Sequence, residues 1–203
     1  MKKKKRKWDT LDAVLEETWT LLKNGVNRPD DPFHWPVLGT SAKQGSRLRT
    51  VILRGFDLTQ RLLVCHTDAR AQKVVEIAAF AHVGWLFYHP ARKVQLRISG
   101  RATLHTDDQL ADGQWATTKI TSRLNYCAVE PPGTVVDKPS SGLPDFLSNK
   151  VPTLLDSERG RRNFMVIACR IDSLDWVGLS NLGNRRARFV WDENGLAADW
   201  LVP

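Results

Sequence analysis

The chain has 203 residues, of which 42% are hydrophobic and 26% are charged, and this is the composition of one globular domain with a sizeable core. It contains no run of about 18 apolar residues, so we expect no membrane-spanning helix. Most of the formal net charge of +8 comes from the basic residues 2–7. We therefore predict a disordered basic tail over residues 1–8 and a single domain over 9–203, and any nucleic-acid binding would depend on that tail alone.

The cysteines and histidines show no pattern of a structural or catalytic metal site. Cys65, Cys127 and Cys169 are far apart and form no C-x-x-C pair, which argues against a disulfide framework or a zinc site. The five histidines lack the H-x-x-x-H and H-E-x-x-H spacings. We expect no bound metal and a reducing, cytoplasmic location.

The first predicted element is an amphipathic helix. Asp9 or Thr10 can cap its start, and apolar residues follow at helical spacing as far as Leu22. The Asn24-Gly25 pair is the expected stop, because glycine readily adopts the backbone conformation that ends a helix.

A pair of strands is predicted after the proline-rich residues 28–36, at 37–41 and 49–54. The second strand is apolar in its middle and carries arginine at both ends, Arg49 and Arg54. Because a guanidinium is rarely buried without a partner, these ends either reach solvent or meet a bound anion. The stretch considered alone favours solvent.

A candidate anion site follows the next strand, predicted at 61–66. Thr67 or Asp68 can cap the helix that comes after it, and Arg70 and Lys73 then fall in the first turns. Backbone amides and the helix dipole favour an anion there. The alternative is a solvent-facing basic pair. Cations at a helix start oppose its dipole unless an anion lies nearby, and this favours the anion site.

The second half of the chain is mostly strands. They are predicted, with Gly100 as a bulge in the second of them, at 83–88, 94–105, 163–177, 185–191 and 196–202. A helix is expected from Asp107 to about Arg123, and a Pro-, Gly- and Ser-rich loop over 130–160. Six or more strands with short turns indicate an antiparallel barrel or sandwich with peripheral helices. No G-x-G-x-x-G, P-loop or G-x-S-x-G motif occurs.

Six short stretches in a fixed order carry a family resemblance: R-T-V-I-L-R at 49–54, H-T-D-A-R-A-Q-K at 66–73, Q-L-R-I-S-G-R-A at 95–102, L-D-W-V at 174–177, R-A-R-F at 186–189 and W-L-V-P at 200–203. Together they resemble the pyridoxamine 5'-phosphate oxidase family of FMN-binding split barrels, from about Trp35 to Pro203. The chain is more similar to the oxidase-related branch than to the vitamin B6 enzyme itself.

The resemblance implies a mainly β, antiparallel split barrel with peripheral helices, which dimerises and binds FMN at the subunit interface. Arg49 and Lys73 would hold the FMN phosphate, and the backbone of Val51 and Leu53 would meet the polar edge of the flavin ring. Trp176 and Arg188 would come from the partner subunit. The remaining implied cofactor contacts are Thr50, Ile52, Arg54, His66, Thr67, Arg70, Gln72 and Gln95.

The substrate side departs from the family pattern. Arg54 stands where the B6 enzyme has lysine, and the helix that would grip the substrate's phosphate offers Lys119 and Arg123. The family's Arg-x-His pair reads Asn184-Arg185-Arg186 here. These residues imply a small anionic substrate, and the alternative for Arg123 and Arg186 is ordinary surface charge.

The implied activity is hydride transfer from substrate to flavin N5 followed by reoxidation by dioxygen, and no catalytic residue is identified from the sequence. Three alternatives stay open at this point. They are a non-catalytic flavin- or haem-binding protein on the same barrel, a true pyridoxamine or pyridoxine 5'-phosphate oxidase, and a nucleic-acid binder that uses the basic tail.

Overall fold

The computed structural model describes residues 8–148 and 150–203. Within them, nine strands form one antiparallel sheet in the order β2-β1-β5-β6-β7-β4-β3, with β8 pairing with β7 and β9 with β8. The strands are β1 Val37–Ala42, β2 Gly45–Thr50, β3 Gly55–Asp57, β4 Leu62–Asp68, β5 His82–His89, β6 Val94–His105, β7 Phe164–Gly178, β8 Arg185–Asp192 and β9 Gly195–Leu201. The α-helices are α1 Leu11–Asn27, α2 Gln72–Ala79, α3 Gln109–Thr117, α4 Ile120–Arg123 and α5 Leu154–Glu158. The mainly antiparallel β fold with a few helices is therefore confirmed, while the predicted tail 1–8 lies almost wholly outside the described residues.

The predicted first helix is present and longer than expected. The Thr10 hydroxyl accepts a hydrogen bond from the Ala13 amide and caps α1, which runs past the expected stop to Asn27. Gly25 is needed for packing rather than for termination, since a Cβ there would lie 2.7 Å from the backbone of Phe33. This close approach seats the residue pair Phe33-His34 against α1, and the His34 ring contacts the Gly25 carbonyl oxygen at 2.6 Å.

The predicted strand over 49–54 is wrong in its second half. β2 ends at Thr50, and the next residues leave the ladder: the Val51 amide donates to the Pro36 carbonyl at 2.9 Å and the Leu53 amide to the His34 carbonyl at 3.0 Å. The Arg54 amide then donates to Val64 on β4 at 2.8 Å. Residues 51–54 thus carry the chain from β2, at one end of the strand order, to β4 and β3 at the other end. This crossing separates Arg49 from Arg54.

The core lies between the sheet and α1, and large aromatic side chains fill it. Trp85, Phe87, Trp176 and Phe189 are all nearly or completely buried. The predicted bulge at Gly100 is confirmed, because the β6–β7 register shifts between Ser99 and Gly100. A side chain at Gly100 would collide with the Arg170 carbonyl of β7.

The predicted helix from Asp107 to Arg123 is broken in two. The Asp108 carboxylate accepts from the Ala111 amide and caps α3, which ends at Thr117, and α4 is a separate single turn. After it, residues 129–141 form an exposed loop whose neck is closed by a hydrogen bond of 2.8 Å from the Val129 amide to the Gly142 carbonyl. No helix of the described residues is long and apolar enough to cross a membrane.

Candidate functional site

The structure brings Arg49 and Lys73 together, although 23 positions separate them in the chain. Arg49 is on β2, and Lys73 is in the first turn of α2. The Lys73 ammonium donates to the Thr67 hydroxyl at 3.1 Å. Burial lowers the pKa of Lys73, and the nearby positive charge of Arg49 lowers it further. Two half-buried cations therefore lie side by side, an arrangement that an anion would stabilise.

Two residues that the sequence analysis missed complete this cluster. The Glu76 carboxylate is buried on α2, with Oε2 accepting from the Thr40 hydroxyl at 2.5 Å and from Arg49 Nη2 at 3.1 Å. Arg47 Nε lies 3.4 Å from the other carboxylate oxygen. The signal was present: Glu76 is three residues after Lys73 on one helix face, and Arg47 and Arg49 share a strand face.

These residues fit a phosphate monoester, which carries about −1.5 to −2 charges at neutral pH. Arg49 supplies a planar fork and Lys73 a point charge, the two cationic groups that proteins use for phosphate. In the described residues Lys73 hydrogen-bonds a hydroxyl rather than a carboxylate, so its charge is available to a ligand. The pair is therefore suited to the phosphate end of FMN.

The backbone next to this cluster differs from the expectation. The amides of Val51 and Leu53 are already bonded to Pro36 and His34, so within the described residues only the carbonyls of these two residues remain for the flavin ring. Ile52 lies between them, and within the described residues its amide has no acceptor. Ile52 is thus the better candidate for a hydrogen bond to the ring edge, while Thr50 is exposed at the end of β2.

A second cluster surrounds Arg54, whose guanidinium forms no ion pair with any described residue. Its charge acts on His66 of β4 and on Tyr126. His66 Nε2 contacts Gln114 Oε1 on α3 at 2.9 Å, and its Nδ1 is buried without a hydrogen-bond partner. An unpaired guanidinium near an unsatisfied ring nitrogen can bind a polar, negatively charged group.

We predict that His66 makes the flavin-free protein sensitive to acid. Burial lowers the pKa of His66 to about 4, and the Arg54 charge adds to this. The unfolded chain binds a proton near pH 6.5 and the folded chain does not, so stability falls as the pH drops from about 6.5 to 4, by on the order of 3 kcal/mol. Urea unfolding across this range should show the loss in the wild type and a smaller one in His66→Gln. Equal losses in both proteins would contradict the assignment.

Arg70 and Gln72 do not join the phosphate cluster. The Arg70 guanidinium makes two bonds to the Asp68 carboxylate, at 2.8 and 3.0 Å, and donates to the carbonyls of Ala128 and Val129. All of its donor nitrogens are therefore used within the chain. Its role is to tie the start of α2 to the root of the exposed loop, which corrects the expected phosphate contact. Gln72 is exposed at the first position of α2.

The two residues expected to come from the partner subunit have contacts within their own chain. Trp176 is 0% exposed and its ring packs edge-on against Trp8, with 5.0 Å between the ring centroids, so it belongs to the core of this chain. The reason is the strand period: Leu174, Trp176 and Gly178 all face the core. Arg188 is exposed and pairs with Asp199 at 3.0 Å, while Gln95 is half-buried on β6.

Of the four predicted substrate residues, the structure leaves Arg54 and Lys119 without an ion pair in the described residues. Arg123 is neither surface charge nor a free cation, because it is 5% exposed and bonds Glu158 at 2.5 Å and the Trp115 carbonyl at 2.7 Å. Arg186 is paired with Asp175 at 2.7 Å, and Lys119 is exposed just before α4.

Residues 16–106 match the family model described as pyridoxamine 5'-phosphate oxidase, FMN-binding domain. No curated protein sequence matches the chain. A pyridoxamine 5'-phosphate oxidase-related, FMN-binding protein from Nostoc punctiforme has a similar structure, with a TM-score of 0.72, 19% identity, and coverage of 93% of this chain and 96% of that one. PhzG from Burkholderia lata, solved in complex with tetrahydrophenazine-1-carboxylic acid, is also similar in structure. Its TM-score is 0.71 at 18% identity, and the match covers 95% of this chain and 92% of that one. At these identities the two structures establish the likeness of fold.

Proposed function

We propose that the protein is an FMN-dependent oxidoreductase, from the premise that residues 16–106 match the FMN-binding domain of the pyridoxamine 5'-phosphate oxidase family. Three of the six sequence stretches lie within this match. The observation that carries the proposal is the convergence of Arg49 and Lys73 beside Thr67. In this proposal the two cations hold the FMN phosphate, and the free amide of Ile52 lies toward the flavin ring.

Bound FMN supplies a two-electron acceptor for a hydride from the substrate. Arg54 is the residue of this chain best placed to assist, because its charge is not neutralised by any described carboxylate. A guanidinium in a half-buried site stabilises negative charge that develops nearby. Its neighbour His66 stays neutral at pH 7, since its pKa is about 4, and so adds no competing positive charge.

We propose a small anionic substrate, and an aromatic carboxylate is the class to test first. Arg54 offers a fork for a carboxylate. The rings of Tyr126 and Phe164 next to His66 are 8% and 0% exposed and belong to the core. The PhzG structure contains an acid of this class. A true B6 enzyme is disfavoured, because Arg123 is buried in a structural role and Arg186 is neutralised by Asp175.

We further propose a homodimer in the cytoplasm. Alternate residues of β5, among them Leu86 and Tyr88, point outward and are 41% and 47% exposed, and Leu48 of β2 is 71% exposed. Leu48 and Leu86 line one groove of about 350 Å³. An apolar surface of this kind is typical of an interface that a second copy covers. The three cysteines are free thiols, as a reducing compartment requires.

The proposal predicts that the purified protein binds FMN and is dimeric. We expect absorbance bands in the near-ultraviolet and blue, FMN rather than riboflavin in the denatured supernatant, and the mass of two chains in light scattering. Anaerobic bleaching by an aromatic carboxylate substrate, with peroxide formed on readmitting air, would establish turnover. A bound flavin that no substrate or chemical reductant bleaches would support the non-catalytic alternative. A colourless protein that does not bind added FMN would overturn the proposal.

A further inference from the structure

The buried carboxylate of Glu76 lies in the middle of the proposed phosphate site. It is 5% exposed and contacts Arg49 and Thr40 through one oxygen. A carboxylate presents the same kind of acceptor oxygens to a guanidinium as a phosphate does. Glu76 therefore accepts a hydrogen bond from the Arg49 guanidinium that a bound phosphate oxygen could otherwise accept.

The register of the first two strands explains why this contact forms. Thr40 pairs with Arg47 and Leu38 with Arg49 across β1 and β2, so all four side chains are on one face of the ladder. That face meets α2, because Thr40, Arg47 and Arg49 all contact Glu76 of that helix. The contact is therefore set by the fold and not by a chance surface rotamer.

The carboxylate is only partly satisfied by these contacts. Its second oxygen is buried and lacks a hydrogen bond, and the closest cation, Arg47 Nε at 3.4 Å, is too poorly aligned to provide one. The Arg47 side chain is 58% exposed, so water screens its attraction for this oxygen. A buried anion held this way stabilises its cations but repels any second anion that approaches them.

Resting on the proposed function, we propose that Glu76 is a built-in counter-anion of the phosphate site, which stabilises the flavin-free fold at the expense of FMN affinity. With Glu76 the cluster of Arg47, Arg49, Lys73 and Glu76 has a formal charge of +2, which balances a phosphate dianion. Without it, Arg47 and Arg49 would lie together with no carboxylate between them. Glu76 thus sets how strongly the site selects a dianionic flavin phosphate over an uncharged flavin.

Glu76→Gln tests this, because the amide keeps the size of the side chain and an oxygen for Thr40 and Arg49 but loses the charge. We expect FMN to bind ~10-fold more tightly, the effect of one unit charge removed near a phosphate. Riboflavin affinity should not change. The flavin-free variant should melt at a lower temperature than the wild type. A residue with a purely structural role would lower both the affinity and the melting temperature, and that outcome, or an unchanged FMN affinity, would overturn the proposal.

Two further variants serve as controls. Glu193→Gln removes the same charge from the exposed turn between β8 and β9, and both measurements should match the wild type. The double variant Arg47→Gln/Glu76→Gln restores the cluster's formal charge of +2. It also removes the repulsion between Arg47 and Arg49, which matters should the single variant fold poorly. Its FMN affinity should return to within about threefold of the wild type, since the electrostatic change is cancelled. Tightening that persists in the double variant would contradict the charge explanation.

Inorganic phosphate separates this inference from the proposed function. Its binding can be followed by thermal shift in the flavin-free protein. Should the wild type bind no FMN while phosphate binds more tightly to Glu76→Gln, the proposed function fails and the counter-anion role stands. Should FMN bind equally to both proteins, the proposed function stands and the counter-anion role fails. Absence of both FMN and phosphate binding in every variant would overturn both.

Discussion

Lys73→Met is expected to weaken FMN binding by ~1–3 kcal/mol, the scale of a lost charge-assisted hydrogen bond to phosphate. Methionine keeps the length of the side chain but cannot donate. The folded protein should tolerate the change, because the only hydrogen bond of the Lys73 ammonium among the described residues is to the Thr67 hydroxyl. The ammonium is also partly buried near Arg49, and both effects lower the pKa of Lys73. We expect the flavin-free variant to be destabilised by less than about 1 kcal/mol.

Quenching of FMN fluorescence measures the affinity, and urea unfolding measures the stability. Lys23→Met on α1 is the matched control, since it removes an equal charge from an exposed position. Arg49→Ala should behave differently from Lys73→Met, because it leaves the buried Glu76 carboxylate without its closest guanidinium and so lowers stability as well as affinity. An FMN affinity of Lys73→Met equal to that of the wild type would rule out Lys73 as a phosphate ligand.

Arg123→Ala is expected to reduce the free energy of unfolding by roughly 2–4 kcal/mol, which is large for a single substitution. Arg123 donates to the carbonyls of Trp115 and Thr118 and to Glu158, and its guanidinium lies 4.5 Å from the Trp115 ring. Its removal leaves the Thr118 carbonyl without a donor in the described part of the chain, and the Trp115 carbonyl keeps only the Thr118 amide at 3.0 Å.

Guanidinium chloride unfolding of the flavin-free protein measures this loss. The exposed Arg162 provides the control, and Arg162→Ala should change stability by less than about 0.5 kcal/mol. The FMN affinity of the Arg123→Ala protein that remains folded should equal that of the wild type. A stability loss below about 1 kcal/mol, or a specific loss of FMN or substrate affinity, would return Arg123 to the substrate site.

The parts of the fold with strong periodic patterns could be predicted from sequence. The helical spacing before Leu22 gave α1, and the alternating residues of β5 and β6 gave those strands with the bulge at Gly100. The segment 51–54 was predicted as strand because its side chains are β-prone. Its backbone conformation depends instead on carbonyls supplied by Pro36 and His34, which are distant in sequence.

The candidate site was predictable only where the family resemblance covers it. Arg49 and Lys73 were predicted as phosphate ligands from the matching stretches 49–54 and 66–73, but the competing Glu76 depends on the packing of α2 against β1 and β2. Arg70 and Arg123 look like ligand-binding cations in the sequence. Their actual partners are carbonyls and carboxylates that the fold brings to them, and no local pattern indicates such contacts.

The closed neck of the loop 129–141 has a consequence for how this chain can be altered. The Val129–Gly142 hydrogen bond and the Arg70 contacts fix both roots of the loop, while residues 129–141 are all exposed. Lengthening such a loop adds little entropy cost, about 0.6 kcal/mol for each doubling. This segment is therefore the natural place for an affinity tag or a reporter peptide, and for length differences among homologues.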